Sequence, residues 1–337
     1  MTAQVRVDLV AWDAPVAAAL RAELYADLVQ RYGDLAEPAS PDIPVDRHHA
    51  TLVLRVDAEP VGCVSLWDAA VHGERFADRV GEVKRMFVRA DHRGRGYSRL
   101  LLARLEEVAV ERGLVRLVLE TGVRQPEAIG LYRSAGYRRV RCFGPYVDDP
   151  LSVYYATWLV PDAATRVLVV NGTVGAGKTT VVARCADLLR ERGVPYAWVD
   201  VDALRHSYPT AADDPFAQAV ALDHLEAMAG VWRRRGYRHV LLAEIIERPE
   251  DRERYELAFD GAELAVVRLE AREATRLARV AERESDPWWR EWHLARTVEL
   301  AAILDAAGVD DAVVDNDARP VRDVAAEVLA AAGWLDA

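Results

Sequence analysis

Residues Gly172-Thr173-Val174-Gly175-Ala176-Gly177-Lys178-Thr179 satisfy G-x-x-x-x-G-K-[ST] at every fixed position. They follow an apolar, strand-like run at 166–171 and precede a helix-like run at 180–192, the strand–loop–helix setting in which this pattern has a mechanism. Glycines let successive backbone N–H groups curl around a phosphate at a helix N-terminus. Lys178 can then reach the β- and γ-oxygens, and the Thr179 hydroxyl can ligate Mg²⁺. Gly172, Gly175, Ala176, Gly177, Lys178, Thr179 and Thr180 are therefore read as nucleotide-binding, with Lys178 also catalytic. Of 43 Lys+Arg only Lys84 and Lys178 are lysine, so one of two retained lysines stands where this chemistry needs it.

From 167 onward strand and helix patterns alternate, with strands expected at 167–170, 196–201, 239–245, 263–269 and 312–314. Five apolar runs separated by helices imply a parallel sheet covered on both faces. The first half differs. Strands are expected at 4–10, 50–56, 60–67, 81–88, 115–120, 137–143 and 153–159, with helices at 14–32, 96–112 and 126–135 and a hairpin turn around Asp57-Ala58-Glu59. A stretch without periodicity at 160–165 places a boundary near Pro161, giving domains 1–160 and 161–337.

In the second half, Asp200 and Asp202 close the predicted strand 196–201, at the edge where ligands bind in open parallel sheets. Asp202 can accept the proton of a substrate hydroxyl, Asp200 can hold a Mg²⁺ water and face the substrate, and Arg205 can clamp a substrate anion. The plainer alternative is that the two carboxylates cap the next helix. Glu244 is the odd polar residue in 239–245, placed as a metal-coordinating acid or as a salt-bridged glutamate. Arg272, Arg276, Arg279 and Arg283 recur along a predicted helix that leads into an aromatic stretch, 284–293, read as a loop. Arg279 and Arg283 are expected to face the γ-phosphate as a closing lid does. Otherwise the row is a solvated face.

With these residues quoted, the region 166–334 resembles the small-molecule P-loop kinases, the group containing adenylylsulfate, gluconate, shikimate and chloramphenicol kinases. The likeness rests on the phosphate loop, Asp-x-Asp-x-x-Arg at 200–205, the arginine row and Val314-Asp315-Asn316-Asp317-Ala318-Arg319-Pro320. It implies ATP with Mg²⁺, and no Asn-Lys-x-Asp guanine motif stands against that donor.

In the first half, Arg93-Gly94-Arg95-Gly96-Tyr97-Ser98 turns from a strand into a helix, presenting backbone N–H groups flanked by arginines, which suits a pyrophosphate. It resembles motif A of the GCN5-related N-acetyltransferases (GNAT), R-x-x-G-x-[GA], with Ser98 in place of the usual small residue. Gln125-Pro126-Glu127-Ala128-Ile129-Gly130-Leu131-Tyr132 resembles motif B. The resemblance implies acetyl-CoA held by Arg93 through Ser98 and by the backbone of Phe87 and Val88, with Tyr132 protonating the leaving thiolate. Glu82 is the candidate base for the acceptor amine. Lys84 or Arg85 can hold a substrate carboxylate, and the helix 23–32, the loop to Pro44 and the turn 143–146 would shape the acceptor site.

The expected fold is thus α/β: a GNAT mixed-sheet α+β domain followed by a P-loop kinase domain with a five-stranded parallel sheet. The expected function is acetyl-CoA-dependent N-acetylation of a small-molecule amine plus ATP-dependent phosphorylation of a small-molecule hydroxyl, as in antibiotic modification, resistance or biosynthesis. Two rivals are a P-loop half that binds nucleotide only as a regulatory module, and acetylation of protein N-termini or lysines. A net charge of −11, with 21 basic against 22 acidic residues before Pro161 and 22 against 32 after it, argues against nucleic-acid partners. No apolar run reaches eighteen residues, so neither signal nor membrane span is expected. Three dispersed cysteines read as buried reduced thiols, and the chain as cytoplasmic with small-molecule partners. Oligomeric state is not legible.

Overall fold

The computed structural model describes residues 4–33, 45–73, 76, 79–147, 149–160 and 163–335. The acceptor-shaping loop 36–44 and the boundary residue Pro161 lie outside the described residues. The chain divides into two compact units, Met1–Ala163 and Ala164–Ala337.

The first unit contains a seven-stranded sheet. Strands β1 (Val5–Val10), β2 (His48–Val56), β3 (Glu59–Asp68) and β4 (Val80–Val88) pair antiparallel in sequence order, and helix α1 (Pro15–Tyr32) follows β1. Asp57 and Ala58 both take positive φ, which the right-handed twist of a tight β2–β3 hairpin demands. Helix α2 (Tyr97–Glu111) leads to β5 (Arg116–Gly122), α3 (Pro126–Ser134), β6 (Arg138–Arg139) and β7 (Ser152–Trp158). One face of the sheet buries Leu66, Val83 and Leu117 against Leu101, Leu102 and Leu105 of α2. The other buries Val53, Cys63 and Phe87 against α1, and Val80, Val118 and Tyr154 against Phe76 and Phe143.

β4 and β5 run parallel but pair only from Val80–Arg116 to Glu82–Val118. Beyond that point both strands continue unpaired with one another, so the sheet splays. Within β4 the register against β3 shifts between Cys63 and Ser65, and Arg85 opposite takes φ +58°. Such a bulge re-aims side chains. Lys84 lies on the α1 face with Glu82, Met86 packs with the α2 face, and Phe87 returns to α1.

The second unit has a parallel sheet of order β12-β11-β8-β10-β9. Its strands are β8 (Arg166–Asn171), β9 (Tyr196–Asp200), β10 (His239–Ala243), β11 (Glu263–Glu270) and β12 (Ala312–Asp315). Helices α4 (Lys178–Glu191) and α9 (Val321–Ala331) cover one face, and α5 (Gln218–Arg234) and α6 (Pro249–Ala258) the other. α7 (Glu273–Arg283) and α8 (Pro287–Ala307) follow β11.

Three sequence expectations are corrected. Of residues 284–293 only 284–286 are a loop. The Asp286 carboxylate accepts the N–H groups of Trp288 and Trp289 with Pro287 at the first helical position, so α8 begins there. The strand expected at 137–143 is the two-residue β6, because Phe143 is buried from a loop rather than a ladder. Cys142 is exposed, while Cys63 and Cys185 are buried.

Candidate functional site

In the second unit the phosphate loop leaves the central strand β8, its entry fixed by Asn171. That buried carboxamide accepts the N–H groups of Gly172 (2.9 Å) and Ile246 (3.1 Å) and donates to Asp310 (2.8 Å). Each glycine of the loop is sterically required. A Cβ at Gly172 would lie 2.8 Å from the Leu269 carbonyl, at Gly175 2.5 Å from the Arg276 carbonyl, and at Gly177 2.8 Å from Asn316 Nδ2, all at positive φ. The cradle therefore fits a phosphate through bare backbone. Lys178 Nζ donates to the carbonyls of Gly172 (3.0 Å) and Thr173 (3.1 Å). Burial lowers its ammonium from the ordinary lysine value, against the opposing charges of Asp202, Glu244 and Asp200.

A cleft of about 710 Å³ opens beside the loop, lined by Lys178, Thr179, Asp200, Asp202, Arg279 and Asn316 among others. The Thr179 hydroxyl donates to Asp200 at 2.7 Å, and the other Asp200 oxygen accepts the Asp202 N–H at 3.2 Å. Hydroxyl and carboxylate together form a hard-oxygen pair suited to Mg²⁺. Asp202 projects with its side chain 79% exposed. Thr180 and Arg283 also line the cleft, and Arg279 donates to the carbonyls of Gly175 and Ala176 (3.4 Å each) and of Asn316 (3.0 Å). Ala176 itself is buried beneath the loop.

Glu244 and Arg205 stand apart from this lining. Glu244 is buried, accepting from Arg205 (2.7 Å), the Tyr255 hydroxyl (2.6 Å) and the Ile245 N–H (2.6 Å). Burial raises its carboxyl above the usual range even with Arg205 beside it. Arg205 is thereby held by Glu244, with Asp202 3.6 Å away. Sequence reasoning passed over Asn171, Glu282 and the cleft-lining His293; an isolated Asn ending an apolar strand was a readable signal.

In the first unit, Arg93 through Ser98 form the turn into α2. Gly94 and Gly96 have φ of +75° and +80° with open space where a Cβ would stand, and Gly96 caps α2 with no side chain taking its first N–H groups. This surface fits a diphosphate. Arg93 donates to the Val88 carbonyl (2.9 Å) and to Asp27 (3.0 Å), pinning the turn to the end of β4 and to α1, while Arg95 donates to the Asp91 carbonyl at 3.1 Å. Phe87 packs into the α1 core, and Val88 into the α2 core. The Arg85 carbonyl lies 3.5 Å from Cys63 Sγ.

Tyr132, on α3, is buried against Tyr137 with ring centroids 5.6 Å apart. Burial, then the charge of Glu120, raises its phenol well above the ordinary value. Glu82, on β4, is 1% exposed. One of its oxygens is 2.9 Å from His72 Nε2 and the other 2.8 Å from Lys84 Nζ. Burial alone would raise Glu82, but His72 and Lys84 bring it below the usual carboxylate range. Glu120, two residues beyond the last β4–β5 pair, was missed in the sequence. It accepts from Ser152 Oγ at 2.7 Å, and burial raises it.

Residues 17–137 match the family model described as Acetyltransferase (GNAT) family, and 167–312 one described as AAA domain. An IAA acetyltransferase of Azospirillum brasilense is 43% identical over 121 residues, 36% of this chain and 71% of the relative. The chain belongs to the GNAT acetyltransferase family. A second relative, the uncharacterized N-acetyltransferase YsnE of Bacillus subtilis (strain 168), is 38% identical over 78 residues, 23% of this chain and 52% of the relative. A solved IAA acetyltransferase from Bacillus cereus ATCC 14579 aligns at TM-score 0.34 and 18% identity, over 46% of this chain and 99% of that one. The GNAT motifs lie in the first unit, and the AAA-type match carries the phosphate loop. No helix among the described residues is long and apolar enough to cross a membrane.

Proposed function

We propose that this GNAT protein is bifunctional, acetylating the amine of a small molecule from acetyl-CoA in its first unit and phosphorylating a small-molecule hydroxyl from ATP in its second. When bound, acetyl-CoA supplies an activated acyl group, and ATP with Mg²⁺ supplies the phosphoryl group. In the first unit the α2 turn at Gly94 and Gly96 holds the diphosphate, and the splay past Glu82 leaves β4 backbone from Phe87 to Val88 free to pair with pantetheine. Tyr132 keeps its proton until a thiolate takes it. Glu82 and Glu120, the latter raised by burial and lying past the splay, are the two carboxylates that serve removal of the amine's proton. Arg85 at the bulge faces an acceptor carboxylate.

For the second unit the observation that carries the reading is the Thr179–Asp200–Asp202 chain of contacts at the carboxyl edge of the sheet, facing the cleft with Lys178 and Arg279. Thr179 and Asp200 hold the metal, Asp202 accepts the hydroxyl proton, and Arg279 and Arg283 face the transferring phosphate. Glu244 serves this edge indirectly by fixing Arg205, which borders the acceptor. That same engagement favours the alternative of a nucleotide-binding regulatory module, since a clamp already held by Glu244 is less available to an acceptor anion.

Mass spectrometry of amine and alcohol panels with acetyl-CoA and ATP supplied separately tests both activities. Acetyl and phosphoryl mass gains support the proposal. Acetylation with no acceptor-dependent ATP turnover selects the regulatory module instead.

A further inference from the structure

The short 3₁₀ turn Ala69–His72 after β3 is anchored by Asp68, which accepts the Ala70 N–H at 3.0 Å and pairs with Arg47 at 2.9 Å. The anchor sets His72 over the sheet face that carries Glu82, with Nε2 2.9 Å from the Glu82 carboxylate. Phe143 stacks obliquely on the imidazole with centroids 5.3 Å apart, and Phe76 lies 5.0 Å from Phe143. The opposite edge of the ring faces Gly144. A Cβ there would stand 3.0 Å from Nδ1 and Cε1, so the glycine keeps that edge clear of a side chain. The ring thus forms the wall of a cavity of about 550 Å³, lined also by Val71, Phe76, Phe143, Pro145 and Val147.

We infer that this cavity takes an amine carrying a flat apolar ring, and that His72, oriented by Glu82, is the group that removes the amine's proton. The inference rests on the acetyltransferase reading of the same unit. Phe76 and Phe143 back the cavity with buried aromatic rings and Val71, Pro145 and Val147 give it an apolar rim, with no charged residue among the described lining residues. Glu82 is buried between the His72 imidazole and the Lys84 ammonium, both oxygens engaged, so it is built to orient the imidazole and offset the charge it gains rather than to take a proton itself. Lys84 completes that arrangement from the next inward-facing position of β4. Among the described residues, the charged and titratable groups around the ring are Glu82 and Lys84 of β4, Glu120 beyond them on β5, and Cys142 of the cavity lining.

The ammonium gives one proton to His72 Nδ1, and the freed lone pair forms the C–N bond at the thioester carbonyl. The C–S bond breaks, the thiolate takes the Tyr132 proton, and the second N–H proton lost as the amide forms restores Tyr132. His72 discharges to water, so one proton is released per acetyl transferred.

The test uses the full chain with acetyl-CoA and three probes, 2-phenylethylamine, n-butylamine and ethanolamine, following thiol release. The expected preference for 2-phenylethylamine over n-butylamine is about 10- to 200-fold in kcat/KM. Val147, 46% exposed, can be changed without disturbing the core. Val147→Asp should abolish that preference and weaken 2-phenylethylamine binding measured by calorimetry without acetyl-CoA. His72→Gln should lower kcat about 10²- to 10⁴-fold and erase the inflection on the acidic limb of the pH profile. His72→Asn, with unaltered circular dichroism, should behave alike. Equal rates for the three amines overturn the ring-binding cavity, and full kcat with an unchanged profile in His72→Gln overturns the base. If no amine is acetylated although acetyl-CoA binds, the acetyltransferase reading is at fault. Calorimetric binding that Val147→Asp removes then still supports the cavity, and its absence overturns it.

Discussion

A phenol buried against Tyr137, with Glu120 adding negative charge nearby, stays protonated throughout the physiological range. We therefore predict that Tyr132→Phe lowers acetyl transfer about 10²- to 10⁴-fold and leaves acetyl-CoA affinity unchanged in calorimetry. A variant at full rate would remove Tyr132 from the chemistry. Asp202 tests the other unit. Exposed and adjacent to the Thr179–Asp200 pair, it makes Asp202→Asn the discriminating change: ATP binding should persist while acceptor phosphorylation falls by orders of magnitude. A loose transition state leaves some residual rate. Glu82 makes a prediction about stability. Its folded-state carboxyl is held below the usual range, so its contribution is present above about pH 4.3, the ordinary glutamate value, and is lost as pH falls through the folded value. Urea midpoints of the parent protein and Glu82→Gln should therefore converge as pH drops below about 4. A constant gap from pH 7 to pH 3 would argue against an ionised Glu82.

At the scale of elements, α7 lies directly on the phosphate loop, with the Arg276 carbonyl above Gly175. Gly175→Ala should cost about 1–3 kcal/mol and weaken nucleotide binding. Gly193→Ala is the control, a glycine of similar φ, +69°, with nothing within 4 Å of its would-be Cβ; it should cost stability without changing affinity. The same packing explains what the sequence could and could not say. Strands β8, β10 and β11 were legible because both faces are covered and their runs are continuously apolar. The start of α8 was legible in Asp286-Pro287, yet the tryptophans after it drew the eye toward a loop. Glu120 carried its own signal, a lone carboxylate in an apolar strand. His72 carried none, since its meaning comes from contacts that only the fold makes, with Glu82 on the next strand and with Phe143 and Gly144 far along the chain. The Glu244–Arg205 pairing was likewise invisible, because it joins residues 39 positions apart across neighbouring strands.

At the scale of the whole molecule, each unit has its own buried clusters, so ligands should stabilise them separately. In differential scanning calorimetry, acetyl-CoA at about 100 times its Kd should add about 2.7 kcal/mol to one transition, and MgATP at the same excess should do so for the other. A single transition moved equally by both would refute independent units. The order of strands has a further consequence, for synthesis. In the first sheet β1 to β5 pair in the order they are made, and every strand is complete by Trp158. The second sheet has β8 at its centre and needs β12, which ends at Asp315, for its far edge. At roughly 5–20 residues per second, the ribosome spends on the order of ten to thirty seconds on the second unit after the first has emerged. The acetyl-CoA surface can thus assemble on the nascent chain well before the nucleotide cleft has all its walls.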